Sequence, residues 1–123
     1  MSQTVLLVED DRWLAECYLA WLDGFGYDVV RVQDAQTALE VLDDRSVNLI
    51  LLDIMLPFAN GIHFLNVLSS HADLMQIPVI VCSGMSPKGL EQQYGVRAVL
   101  DKAMLTPALM LSTVSGVLAS ETV

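Results

Sequence analysis

Short apolar, β-branched runs alternate with amphipathic stretches along the whole chain. Val5-Leu6-Leu7-Val8 is continuously apolar, the pattern of a strand buried on both faces of a parallel sheet. Asp11 can cap a helix to about Asp23, with Leu14, Cys17, Tyr18, Trp21 and Leu22 on one face and Gly24 and Gly26 ending it. A second strand is predicted over Tyr27–Val32, and Asp34 caps a second helix to about Asp43. Val47–Leu52 reads as the most hydrophobic strand and runs straight into Asp53. After a loop holding Pro57 and Gly61, Ile62–Ser70 predicts a third helix, and Pro78 opens a strand over Val79–Cys82. A short, weak helix near Gly89–Tyr94, a strand over Val96–Leu100 and a last helix over about Leu105–Ala119 complete the pattern.

Strands alternating with helices in this way imply right-handed crossovers and an α/β fold, a doubly wound five-stranded parallel sheet covered on both faces. The length, 123 residues, suits one domain over 1–123 with no output domain attached. Apolar residues make up 54% and charged residues 17%, a composition that excludes intrinsic disorder. The net charge of −9 argues against direct nucleic-acid binding, which draws its affinity from Lys and Arg. Cys17 and Cys82 sit among apolar residues and read as buried thiols in a reducing compartment. No signal peptide is visible in Met1-Ser2-Gln3-Thr4. Ala103–Ser120 carries no charge, but Pro107, Gly116 and its hydroxyl residues make it a poor membrane span. The chain is expected to be soluble and cytoplasmic, with no membrane partner.

Ligands of parallel sheets bind outside the carboxyl ends of the strands. There the first strand delivers Glu9, Asp10 and Asp11, the third Asp53, the fourth Ser83 and the fifth Lys102. Asp11 is accounted for as a helix cap. The remaining carboxylates, if close together, repel one another and raise their own pKa values unless a cation intervenes. A hard divalent cation such as Mg²⁺ takes the oxygen ligands this edge offers. Asp53 can then act as a nucleophilic carboxylate toward a phosphoryl group, with Lys102 and the Ser83 hydroxyl on the phosphoryl oxygens.

These residues carry a family resemblance. Val5 to Asp11, Asn48 to Pro57 with Gly61, Pro78 to Gly84, and Val99 to Lys102 stand in the order and spacing of a response-regulator receiver domain of two-component signalling. The chain is similar to the stand-alone chemotaxis regulator along nearly its whole length. The resemblance implies a flavodoxin-like three-layer fold and a switch that accepts a phosphoryl group onto Asp53 from a sensor histidine kinase or phosphotransfer protein. It would then signal by contact with a downstream protein. Such a domain catalyses only its own phosphorylation and dephosphorylation. The expected metal site is Mg²⁺ at Asp10, Asp53 and the main-chain carbonyl of Met55, with Glu9 assisting through water.

The chain also departs from that pattern. Ala103 follows Lys102 where the family has proline, so a trans bond and a rearranged loop are expected. Val99 replaces the switch aromatic, and Pro87, Gly89 and Gly95 predict a stunted fourth helix. Met55 and Met85, two residues after Asp53 and Ser83, are expected to shield the phosphoryl group from water. In the last helix Leu111, Val114 and Leu118 are expected to face the sheet. That leaves Leu105, Leu109 or Met110 near solvent as a patch for a partner or homodimer. Two other readings compete: a degenerate receiver acting as a constitutive binding module, and an aspartate-nucleophile phosphatase. The phosphatase reading is disfavoured because the first strand ends Glu9-Asp10 rather than in a D-x-D pattern, and no room for a cap domain is expected.

Overall fold

A computed structural model describes residues 2–54, 59–84 and 89–121. Its strands and helices alternate as β1 (Thr4–Val8), α1 (Arg12–Gly24), β2 (Asp28–Val32), α2 (Ala35–Asp44), β3 (Leu49–Ile54), α3 (Ala59–Ser69), β4 (Val79–Ser83), α4 (Leu90–Tyr94), β5 (Ala98–Asp101) and α5 (Pro107–Ser120). The strands form one five-stranded sheet in the order β2-β1-β3-β4-β5, and every pairing is parallel. The chain moves outward from β1 to β2, then returns across β1 to β3. The carboxyl ends of β1 and β3 therefore flank the point where strand order reverses, which is where a crevice opens in such sheets.

Side-chain alternation divides the interior into two cores. Leu6, Val8, Ile50, Leu52, Val79 and Val81 pack with Ala38 of α2, Phe64, Leu65 and Leu68 of α3, and Leu90 of α4. Val5, Leu7, Leu49, Leu51, Ile80 and Leu100 pack with Ala15, Tyr18 and Leu22 of α1 and Met110, Leu111, Val114 and Leu118 of α5. Continuous apolar strands follow directly, because both faces of the sheet are covered. No helix among the described residues is long and apolar enough to cross a membrane.

The predicted caps form. Asp11 accepts from the Leu14 N–H at 3.0 Å, and Asp34 accepts from the Thr37 N–H at 2.8 Å. Thr106 accepts from the Leu109 N–H at 3.1 Å and Pro107 follows it, so α5 starts after Leu105 rather than at it. This start also sets the phase of α5 and corrects one expectation. Met110 is fully buried beside Leu111 in the second core, Leu105 packs partly against that core, and Leu109 stays 39% exposed. The fourth helix is short, as expected, with Gly89 and Gly95 in left-handed conformations at its two ends (φ 83° and 69°). At β3 the ladder extends further than the apolar run suggests. Asp53 pairs in register with Cys82 and Ile54 with Ser83, so Asp53 is a strand residue rather than the first residue of a loop.

Candidate functional site

Glu9 follows β1, Asp53 lies in β3 and Lys102 follows β5. Each continues the alternation of the side chains that face α1 and α5: Val5 and Leu7, Leu49 and Leu51, Ala98 and Leu100. Strand parity alone thus directs all three toward one place. Lys102 Nζ lies 2.5 Å from Asp53 Oδ2 and 3.7 Å from Glu9 Oε1. Both carboxylates are almost completely buried, at 2% and 0% side-chain exposure, and the Lys102 side chain is 15% exposed. Apart from Lys102, neither Asp53 oxygen has a partner among the described residues, nor does Glu9 Oε1.

Burial pushes the Asp53 carboxyl above its ordinary value, and Lys102 opposes part of that rise. The cause differs from the mutual repulsion anticipated among the acids. Asp10 and Asp11 are exposed, and loss of water at Asp53 dominates. Cys82, beside Asp53 in the ladder, is a buried thiol pushed up to about 12, mainly by burial and further by the Asp53 charge. Cys17 is only half-buried.

Ser83 is buried at the carboxyl end of β4, in register with Ile54 and Asp101. Asp10 lines the mouth of a cleft of about 710 Å³ with Glu9, Asp53, Asp34, Gln36 and His63. Gly61 permits close packing beside it: a Cβ there would meet Ile54 Cγ1 at 2.9 Å. His63 is exposed, and His71 is engaged by the Val67 carbonyl. Val99 is half-buried against the first core. Met55 and Met85 lie outside the described residues.

Two contacts went unread in the sequence. Asp101 Oδ1 accepts from the Ala103 N–H at 2.9 Å and caps a 3-10 turn over Lys102–Met104, so the loop after the lysine is built without proline. The short Asp two residues before that N–H was the available signal. Arg31 of β2 donates from Nε and Nη2 to the Glu9 carbonyl at 3.1 and 2.8 Å, and from Nη2 to the Asp10 carbonyl at 3.5 Å. Nothing local in the sequence announces this contact, because it joins residues on different strands.

The donor set fits a hard divalent cation. It consists of carboxylate oxygens, two of them on a buried group that, among the described residues, has no hydrogen bond beyond its lysine. Among the described residues no group of three His, Cys, Asp or Glu stands ready to hold a metal.

The sequence pattern of the response regulator receiver domain matches residues 5–113. A polar-differentiation response regulator, DivK, from Brucella ovis is 29% identical over 110 residues, spanning 87% of this chain and 89% of the relative. A CheY-like response regulator receiver domain protein from Methanospirillum hungatei superposes with a TM-score of 0.87 at 22% identity, covering 99% of this chain and 98% of that one. The receiver domain of a sensor histidine kinase from Pseudomonas aeruginosa, solved with a magnesium ion coordinated in its active-site cleft, superposes with a TM-score of 0.84 at 23% identity. That match covers 97% of this chain and 99% of the other.

Proposed function

The chain belongs to the response regulator receiver domain family, and from that premise we propose that it is a Mg²⁺-dependent switch phosphorylated on Asp53 by a phosphohistidine protein. One observation carries the reading: Asp53 is a buried carboxylate at the strand-reversal crevice, held by Lys102 and otherwise without a hydrogen bond among the described residues. In the transfer, an Asp53 oxygen attacks phosphorus. The new O–P bond forms as the P–N bond to the donor imidazole breaks, and that electron pair stays on the imidazole. The Lys102 ammonium moves from the carboxylate to a phosphoryl oxygen, and the Ser83 hydroxyl donates to another. Asp10, Asp53 and the Met55 carbonyl would hold Mg²⁺, with Glu9 acting through water. The bound ion would offset negative charge on the phosphoryl oxygens.

The donor reaches Asp53 across the rim of the cleft. Trp13 and Met104, two residues beyond Asp11 and Lys102 along the chain, are each 70% exposed and would supply apolar contact for a kinase or phosphotransfer protein. The outward surface of α5, uncharged and carrying Leu109, is the surface for self-association or a downstream partner. Light scattering should show association that Leu109→Lys reduces; a monomer at high concentration with and without a phosphoryl mimic removes the homodimer.

Incubation with Mg²⁺ and acetyl phosphate, read by intact mass, tests the central reading. The parent should gain one phosphoryl group and Asp53→Asn none. No gain in the parent replaces the switch with a constitutive binding module.

A further inference from the structure

We propose that Arg31 is a positioning residue of the phosphorylation site, its guanidinium holding the main-chain carbonyls that set where the Glu9–Asp11 turn presents its carboxylates. The inference rests on the functional reading above.

The turn is short and the first two of its three acidic side chains diverge: Glu9 is buried in the cleft, and Asp10 is exposed. That divergence needs a fixed backbone. The Glu9 N–H donates to the Val32 carbonyl at 3.1 Å, and Glu9 Oε2 accepts from the Asp11 N–H at 3.0 Å. Arg31 secures the opposite side, with two nitrogens on the Glu9 carbonyl and one reaching Asp10. Planar guanidinium geometry lets one side chain hold both carbonyls; an ammonium offers no such fork.

The sheet does not need Arg31 for its assembly. β2 pairs with β1 from Thr4↔Asp28 to Val8↔Val32 through the backbone, and Arg31 itself pairs with Leu7. Among the described residues, Arg31 on the turn's carbonyls and Lys102 on Glu9 are the cations that contact this turn, since Arg12 is exposed and paired with Glu16. A role of charge alone predicts the opposite outcome for metal binding: removing a nearby cation would strengthen capture of Mg²⁺.

Arg31→Met and Arg31→Lys separate these roles. In both, the Glu9 and Asp11 amides should exchange about tenfold faster, with the Leu6 and Leu7 amides and the thermal midpoint unchanged. Calorimetric Mg²⁺ affinity should fall about tenfold in both, as for loss of a group that orients metal ligands. Unchanged exchange at Glu9 and Asp11 overturns the proposal, whatever the metal does. So does restoration by lysine, or Mg²⁺ affinity that holds or rises in Arg31→Met. A parent that binds no Mg²⁺ overturns the functional reading instead, and the exchange measurement still decides whether Arg31 holds the turn.

Discussion

Asp53, Glu9 and Lys102 place two carboxylates and one ammonium where little water reaches them. Removing one partner of a buried pair leaves the other charge uncompensated, so Lys102→Met should lower unfolding free energy by about 3 kcal/mol in metal-free urea titrations. Asp53→Asn acts in the other direction, with a pH signature. Because the folded-state pKa of Asp53 is raised, the native state holds its proton at pH values where the unfolded chain has lost it. Stability then falls as pH rises from the ordinary aspartate value through the folded one, and the lost increment does not return above it. In metal-free buffer the gain from Asp53→Asn should therefore be larger at pH 7 than at pH 4. An equal gain at both would mean that burial does not govern this carboxyl. Thiol chemistry offers a separate check. Cys82 is buried with its thiol pushed up to about 12, so native protein should react with a thiol reagent only at Cys17, and Cys17→Ser should abolish labelling until unfolding.

The elements around the cleft do unequal work. α1 carries the Asp11 cap and the exposed Trp13, whereas the turn after β5 carries Lys102 and the exposed Met104. If these residues receive the phosphoryl donor, Trp13→Ala with Met104→Ala should slow transfer from a phosphohistidine protein about tenfold or more. Phosphorylation by acetyl phosphate should stay at the parental rate. Equal slowing with both donors would place the defect in the site rather than in docking. α3 approaches β3 so closely at Gly61 that an added methyl group meets Ile54 Cγ1. Gly61→Ala must shift Ile54, the neighbour of Asp53, and should cost about 1–3 kcal/mol of stability by overpacking in a urea titration.

At the scale of the whole molecule, stability and signalling state are linked through ligand binding. A cation that binds only the folded crevice stabilises the fold by about 2.7 kcal/mol at a hundred times its dissociation constant. Millimolar Mg²⁺ should therefore raise the thermal midpoint of the parent. The rise should be much smaller in Asp53→Ala, whose crevice lacks the buried carboxylate. The same increment in both proteins would place the ion elsewhere on this acidic chain.

The apolar rhythm by itself determined the parallel α/β architecture, because a strand covered on both faces takes apolar side chains along most of its length. The acids, hydroxyl and lysine at the carboxyl ends of the strands were legible for a related reason: each interrupts an apolar run at its carboxyl end. The caps at Asp11 and Asp34 were equally local, since each satisfies an N–H only three residues away. Tertiary structure alone decided three matters. It extended the β3 ladder through Asp53, because strand length depends on what β4 offers opposite. It buried Met110, because the facing side of α5 follows from where Thr106 and Pro107 start the helix against the sheet. It also brought Arg31 to the Glu9 carbonyl, a contact between residues 22 positions apart that exists only because β2 lies beside β1. Sequence patterns report what a residue needs from its surroundings; which distant group meets that need depends on how the strands are ordered.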